Sequence, residues 1–269
     1  SLMPAILCPN CHKLISGDEP RCPLCGQIRP GMFGLAQWMR RLGVDVDFPH
    51  LITITCVSLF LLSLVLDLSA VMRARSMMSI LSPSTDASFR VGMTGAIPVV
   101  GYGRWWTVIT AIYLHGGLLH ILFNMLWVRQ LGPVVEQLFG TYRLFIIFTV
   151  AGVTGFVASV MMGSSLTLGA SGSIFGLLAA AIVYGRRVGS GMFTRQFLQW
   201  AVIMFVFGFI MDGIDNWAHG GGFAGGYATA WLFTRTPNDR EGFGAYVLAG
   251  ACAVLTVLAF FLQFIAALD

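Results

Sequence analysis

Charge is what this chain has least of: Asp, Glu, Lys and Arg make up 10% of its 269 residues, while 57% are hydrophobic. An ordinary soluble domain carries about 25% charged residues, so an ordinary soluble surface is excluded. The expectation is an all-α polytopic membrane protein, because helices satisfy their own backbone hydrogen bonds inside hydrocarbon. The 16 basic residues are spread over several connections rather than gathered on one face, which argues against a nucleic-acid partner. Other absences narrow the class. There is no HExxH stretch, so the helix-borne zinc site of one class of metalloprotease is missing. Internal repeats, the mark of many transporter folds, are not found, which weighs against a solute transporter despite the glycine-rich spans. Asp212 and Asp215 share one short connection and read as solvated loop charges rather than as a catalytic carboxylate pair.

What is present is a succession of apolar runs. They place seven spans near 51–72, 106–131, 142–162, 171–185, 197–212, 216–234 and 243–267. The first run follows cysteines and charges and is expected to be a span rather than a secretory leader. Lys13, Arg21, Arg29, Arg40 and Arg41 precede it, and Arg143, Arg186, Arg187, Arg195, Arg235 and Arg240 fall in connections on the same side. By the bias of Lys and Arg toward the cytoplasm, the N-terminus is expected inside. The first outer loop, near 73–105, departs from that bias with Arg73, Arg75, Arg90 and Arg104, and its Trp105 and Trp106 suggest a segment lying in the interface.

Four of the six cysteines form two CxxC pairs, Cys8-Pro-Asn-Cys11 and Cys22-Pro-Leu-Cys25. Two such turns can present four sulfurs at the corners of a tetrahedron, the closed geometry of a structural zinc site. A cytoplasmic location favours metal over disulfides, and with so little apolar sequence before residue 30 the metal would supply most of the folding energy there. His12 adjoins Cys11 and is a further candidate ligand. Cys56 and Cys252 lie in apolar runs and read as packing residues.

Polar residues inside the spans carry the chemistry. Ser171 opens the fourth span within Gly169-Ala170-Ser171-Gly172, and His219 opens the sixth. Ser171 stands 15 residues before Arg186 and His219 stands 16 before Arg235, so at about 1.5 Å per residue both lie roughly 23 Å from the basic face. In a hydrocarbon core of about 30 Å that common height is below the outer surface, so water must enter from outside. Gly172 and Gly176, and Gly222 and Gly226, are small-xxx-small pairs that let two helices approach. A serine and histidine at equal depth behind facing glycines suggest a nucleophile and its base. In the second span His120 and Asn124 share a helical face, with His115 pointing elsewhere. Donors at His120 and Asn124 suit a developing oxyanion; Asn124 equally suits a polar clamp between helices.

Together these residues resemble the rhomboid intramembrane serine proteases. The resemblance covers about 50–240, through His115-xxxx-His120-xxx-Asn124, Glu136-Gln-Leu-Phe-Gly140, Gly169-Ala170-Ser171-Gly172 and Ala218-His219-xx-Gly222-xxx-Gly226. It implies a six-helix catalytic core, here with one added C-terminal span. It also implies a Ser171–His219 dyad, an oxyanion site of His120, Asn124 and the Ser171 backbone N–H, and Phe175 stacked on the histidine. Transmembrane protein substrates in a lipid bilayer follow from it, with no catalytic cofactor. Two positions depart from the family pattern: Arg104-Trp105-Trp106 stands where Trp-Arg is usual, and Phe175 where tyrosine is common.

The expected organisation is a zinc-ribbon-like module over 1–30, a linker over 31–49, the catalytic membrane domain over 50–235, and a cytoplasmic loop with the extra helix over 236–269. The N-terminal module would recruit a cytoplasmic partner or serve structure alone. The active site would open toward the outer face of a plasma (inner) membrane, with the fifth span or the loop before Asn216 as gate, flanked by Gly208 and Gly213. The competing reading is a catalytically silent rhomboid-like protein that binds membrane helices; the intact Ser171 and His219 argue against it.

Overall fold

Apolar runs that leave their polar groups to one face have only each other and lipid to pack against, and here they assemble as a helical bundle. The computed structural model describes residues 5–8, 11, 13–16, 21–26, 47–68, 80–211, 213–235 and 242–268. His12, Asp212, Arg240 and most of the expected 31–49 linker lie outside these residues. A two-stranded antiparallel hairpin, β1 (Ala5–Leu7) and β2 (Leu14–Ser16), is followed by α1 (Phe48–Leu66), α2 (Thr85–Val91) and the short α3 (Thr107–Thr110). Then come α4 (Leu118–Phe139), α5 (Thr141–Met161), α6 (Ser171–Arg187), α7 (Gly191–Ile210), α8 (Asn216–Arg235) and α9 (Phe243–Ala266).

Five of these, α1, α4, α5, α7 and α9, are long and apolar enough to cross a membrane by length and composition. The chain is an integral multi-pass membrane protein. α6 has only 17 residues and α8 is rich in glycine. The reason is position: α6 is buried along almost its whole length, with α4, α5, α7 and α8 around it. A helix surrounded by protein need not present an apolar surface to lipid, and small residues there let its neighbours close in.

The second span corrects the expected bounds of 106–131. The apolar stretch from 106 is not one helix: α3 and a 3₁₀ turn at Ala111–Tyr113 end at an extended Leu114, and α4 starts only after Gly117. His115 therefore precedes the helix that holds His120 and Asn124. The broken stretch anchors the loop before it. Thr107 Oγ1 donates to Thr94 Oγ1 (2.9 Å), and Thr110 Oγ1 donates to the Gly92 carbonyl (2.7 Å). The same loop pairs with the connection before α6: Thr94 and Thr167 exchange backbone hydrogen bonds, and Ala96 N–H donates to Ser164 (2.8 Å). At the other end, the Glu136–Gly140 motif makes the α4–α5 turn. Thr141 Oγ1 donates to Glu136 (2.7 Å), and Gly140 holds φ +94°, a left-handed value that favours glycine.

The Arg104-Trp105-Trp106 stretch has partners of its own, supplied by the added helix α9. Trp106 Nε1 donates to Gln263 Oε1 (3.0 Å), while Gln263 Nε2 donates to the carbonyls of Phe89 (3.0 Å) and Arg90 (2.9 Å). Arg104 Nη2 donates to the Ala266 carbonyl (2.9 Å). Gln263 is 2% exposed, and replacing it would take one partner from Trp106 Nε1 and from two backbone carbonyls. Replacing Gln263 with Leu is expected to destabilise the fold by about 2 kcal/mol, since three hydrogen bonds are lost at a net of roughly 0.5–1.5 kcal/mol each. Thermal unfolding in detergent measures it; an unchanged melting temperature would remove α9 as the anchor.

Candidate active site

The approach of α8 to α6 is built from glycine. A Cβ at Gly222 would collide with the carbonyl of Gly172, and one at Gly226 with the backbone of Gly176. Beside Gly172, a Cβ at Gly155 of α5 would lie 2.6 Å from the same Ala218 carbonyl that a Cβ at Gly172 would approach to 3.1 Å. The start of α8 is thus wedged between α5 and α6, so Ala218 and His219 have little freedom to shift.

That wedge sets the distance between two side chains at the helix starts. His219 Nε2 lies 2.9 Å from Ser171 Oγ. Phe175, one turn along α6 from Ser171, stacks on the imidazole with ring centroids 4.3 Å apart and planes at 22°. Phe175 and His219 are 2% and 5% exposed, whereas Ser171 keeps partial access. A histidine so enclosed, with one nitrogen on a hydroxyl, can take that proton as a general base, and the hydroxyl oxygen can then act as a nucleophile.

Gly169 shapes the approach to Ser171. Its φ of +131° suits glycine alone, and a Cβ there would lie 2.8 Å from His120 Nε2. Its N–H donates to the Ala111 carbonyl (2.9 Å), tying the turn to the broken segment before α4. His120 therefore borders the turn that leads into Ser171. Asn124 is 5% exposed and donates from Nδ2 to the His120 carbonyl (2.8 Å), which leaves its second N–H uncommitted. His115 is buried beside His120, the rings edge to face at 5.1 Å.

Two further residues complete the site: Asp215, which the sequence suggested was a solvated charge, and Asn216, to which it assigned no role. Asp215 is not a solvated loop charge. Its carboxylate accepts from Trp217 and Ala218 N–H (both 3.1 Å) and from the Ser159 hydroxyl of α5, capping the first turn of α8. Asn216 Oδ1 faces His219 Nδ1 at 3.1 Å. The signal was present: an Asp immediately before the histidine helix is a cap residue, and Asn216 and His219 stand three apart.

Around and after the N-terminal hairpin, the sulfurs of Cys8, Cys11, Cys22 and Cys25 all lie within 4.8 Å of one another. Cys8 Sγ stands 3.6 Å from Cys25 Sγ, and Cys11 Sγ 3.8 Å from Cys22 Sγ. Four sulfurs at about 2.3 Å from a tetrahedral metal stand about 3.8 Å apart, whereas a disulfide needs about 2.05 Å. The donor set fits a thiophilic metal and offers it no open position. Burial alone raises the Cys22 thiol, but the Leu24 and Cys25 N–H groups and the neighbouring thiols bring it down to about 7.

A family model described as "Rhomboid domain" matches residues 102–236. The chain is 36% identical to "Rhomboid protease GluP" of Bacillus subtilis over 136 residues, which cover 49% of this chain and 27% of that protein. It is 29% identical to "RHOMBOID-like protein 4" of Arabidopsis thaliana over 187 residues, 62% of this chain and 45% of that one. With "Rhomboid-type serine protease 2" of Emericella nidulans it shares 30% identity over 149 residues, 52% of this chain and 29% of the other. The chain spans less than half the length of these three relatives.

The glycine wedge makes a direct prediction. Gly222→Ala should unfold the bundle at lower temperature, because the added methyl meets backbone rather than a flexible side chain. Gly250→Ala in α9, where a Cβ meets nothing within 4 Å, should be silent. Melting temperatures of both variants in one detergent decide the matter; equal values would mean that α6 and α8 are not in close contact.

Proposed function

The chain belongs to the rhomboid family, and from that premise we propose that it is an intramembrane serine endopeptidase. It cleaves peptide bonds in or near transmembrane segments of protein substrates, using a Ser171–His219 dyad. The observation that carries this reading is the 2.9 Å contact between Ser171 Oγ and His219 Nε2 beneath the stacked Phe175. A silent membrane-helix-binding protein has no need to keep a hydroxyl and an imidazole in that register.

Ser171 Oγ attacks the scissile carbonyl as its proton passes to His219 Nε2. The resulting oxyanion is held by the Ser171 backbone N–H, with His120 and the second N–H of Asn124 as further donors. Such donors act strongly because the site is poor in water. His219 returns the proton to the leaving amine; a water then enters, gives a proton to the same nitrogen and attacks the acyl carbon, and that proton passes to Ser171 Oγ as the ester bond breaks and the acid is released. A substrate helix must open before its carbonyl is free, so helix-weakening residues near the cut favour cleavage.

The four cysteines hold a structural zinc, with Cys8, Cys11, Cys22 and Cys25 as its ligands and no part in peptide cleavage. The module lies in the cytoplasm, where thiols stay reduced, and gives structure or recruits a cytoplasmic partner. The active site opens toward the outer face of the plasma (inner) membrane. The distribution of Arg186, Arg187, Arg195 and Arg235 at the opposite ends of α6, α7 and α8 supports that orientation.

Ser171→Ala and His219→Ala should each abolish cleavage of a transmembrane reporter without unfolding the protein, and the double variant should lose no more than either one, because the pair acts as a unit. Substantial turnover by either single variant would reject the dyad. Replacing Cys8 and Cys11 with Ser should remove stoichiometric zinc, read by elemental analysis, while detergent-solubilised protein keeps its turnover. Loss of chemistry on stripping the metal alone would show that the two modules are not separate.

A further inference from the structure

His219 can act as a base only if the nitrogen facing Ser171 carries a lone pair, which requires the ring proton to sit on Nδ1. A buried Nδ1–H needs an acceptor. Asn216 Oδ1 stands 3.1 Å from that nitrogen. We propose that Asn216 is a positioning residue for the catalytic histidine: its side-chain carbonyl accepts the Nδ1 proton, selects the tautomer whose Nε2 faces Ser171, and holds the ring as imidazolium forms. The inference rests on the protease reading for its kinetic consequence, but not for the tautomer itself.

Three features make this contact a built one. The turn that carries Asn216 is locked from both sides. Asp215 caps Trp217 and Ala218 through its carboxylate and accepts the His219 N–H on its carbonyl, while Ser159 of α5 holds that carboxylate. The three-residue spacing then places the amide one helical turn before the imidazole. Finally, α7 makes room for it: a Cβ at Gly208 would collide with Asn216 Oδ1 and lie 3.0 Å from Ile214 Cγ2. Glycine at 208 thus has a use beyond flexibility, since any larger residue would drive Asn216 from its place.

The role resembles that of the carboxylate in a Ser-His-Asp triad, with one difference of charge. An amide orients the ring but adds no negative charge, so it fixes the tautomer without strongly favouring the imidazolium. During acylation the Oγ proton moves to Nε2 and the Nδ1 proton stays where it is, shared with Asn216; on collapse the Nε2 proton leaves with the amine.

The test compares wild type with Asn216→Leu, which is similar in size but has no acceptor, Asn216→Asp, which keeps one, and Gly208→Ala. Cleavage of a transmembrane reporter gives kcat and KM, melting temperature monitors folding, and ¹⁵N shifts of the His219 imidazole report the tautomer. The His219 signal is assigned by its loss in a His219→Ala sample. We expect Asn216→Leu to lower kcat by roughly 10- to 100-fold with little change in KM, a partial loss of the roughly 10²- to 10⁴-fold that general acid–base catalysis contributes. Asn216→Asp should restore most of that activity. Gly208→Ala should repeat the Leu phenotype. The wild-type imidazole should be protonated at Nδ1, and the Leu variant should show a mixture of tautomers. Unchanged kcat and an unchanged tautomer in folded Asn216→Leu would overturn the assignment, as would a wild-type ring protonated at Nε2. A wild-type protein that cleaves nothing would refute the protease reading alone, because the ¹⁵N measurement still decides the role of Asn216.

Discussion

The contact on which the rest depends is backbone against backbone, where Gly222 and Gly226 of α8 lie on Gly172 and Gly176 of α6. In hydrocarbon, helix association gains little from apolar burial and depends on close packing and hydrogen bonds. Removing side chains from both surfaces lets the helix axes approach until the groups at their starts can meet. The 2.9 Å spacing of Ser171 and His219 is a consequence of that approach. α5 packs beside it: Gly155 faces the Ala218 carbonyl, and Thr154 Oγ1 donates to the Gly221 carbonyl (3.1 Å).

The second constraint is that irregular backbone near the membrane must find partners within the protein. The loop before α3 meets it by pairing with the connection into α6, through Thr94 and Thr167, and by bonding to α9 through Trp106 and Gln263. These bonds bear on the site because the connection they secure ends at Gly169, one of the glycines that shape the entry to Ser171. The added helix α9 packs against α5 and this loop segment, so it supports the site from a distance.

Much of the arrangement was legible because the signals were periodic. Apolar runs of helical length located the spans, and equal spacing from Arg186 and Arg235 put Ser171 and His219 at one depth. The second span was misread because residues 106–114 are apolar enough to continue a helix. Gly116 and Gly117 interrupt it, and Thr107 and Thr110 are bound to the preceding loop rather than to lipid-facing neighbours. Asp215 was misread for a related reason. A carboxylate in a short connection between two spans suggests a solvated loop until the Ser159 hydroxyl, 56 positions earlier, is seen to bind it.

The sequence by itself determined the membrane environment, the helical content, the pairing of CxxC motifs and the identity of the polar residues that had to meet. Those follow from composition and spacing along one chain, which local geometry converts directly into faces and depths. The tertiary structure alone decided which glycine lies on which, that Asn216 rather than a carboxylate meets the second nitrogen of His219, and that Gln263 anchors the first loop. Each of these depends on the distance between helices, and that distance is set by packing among elements far apart in the chain.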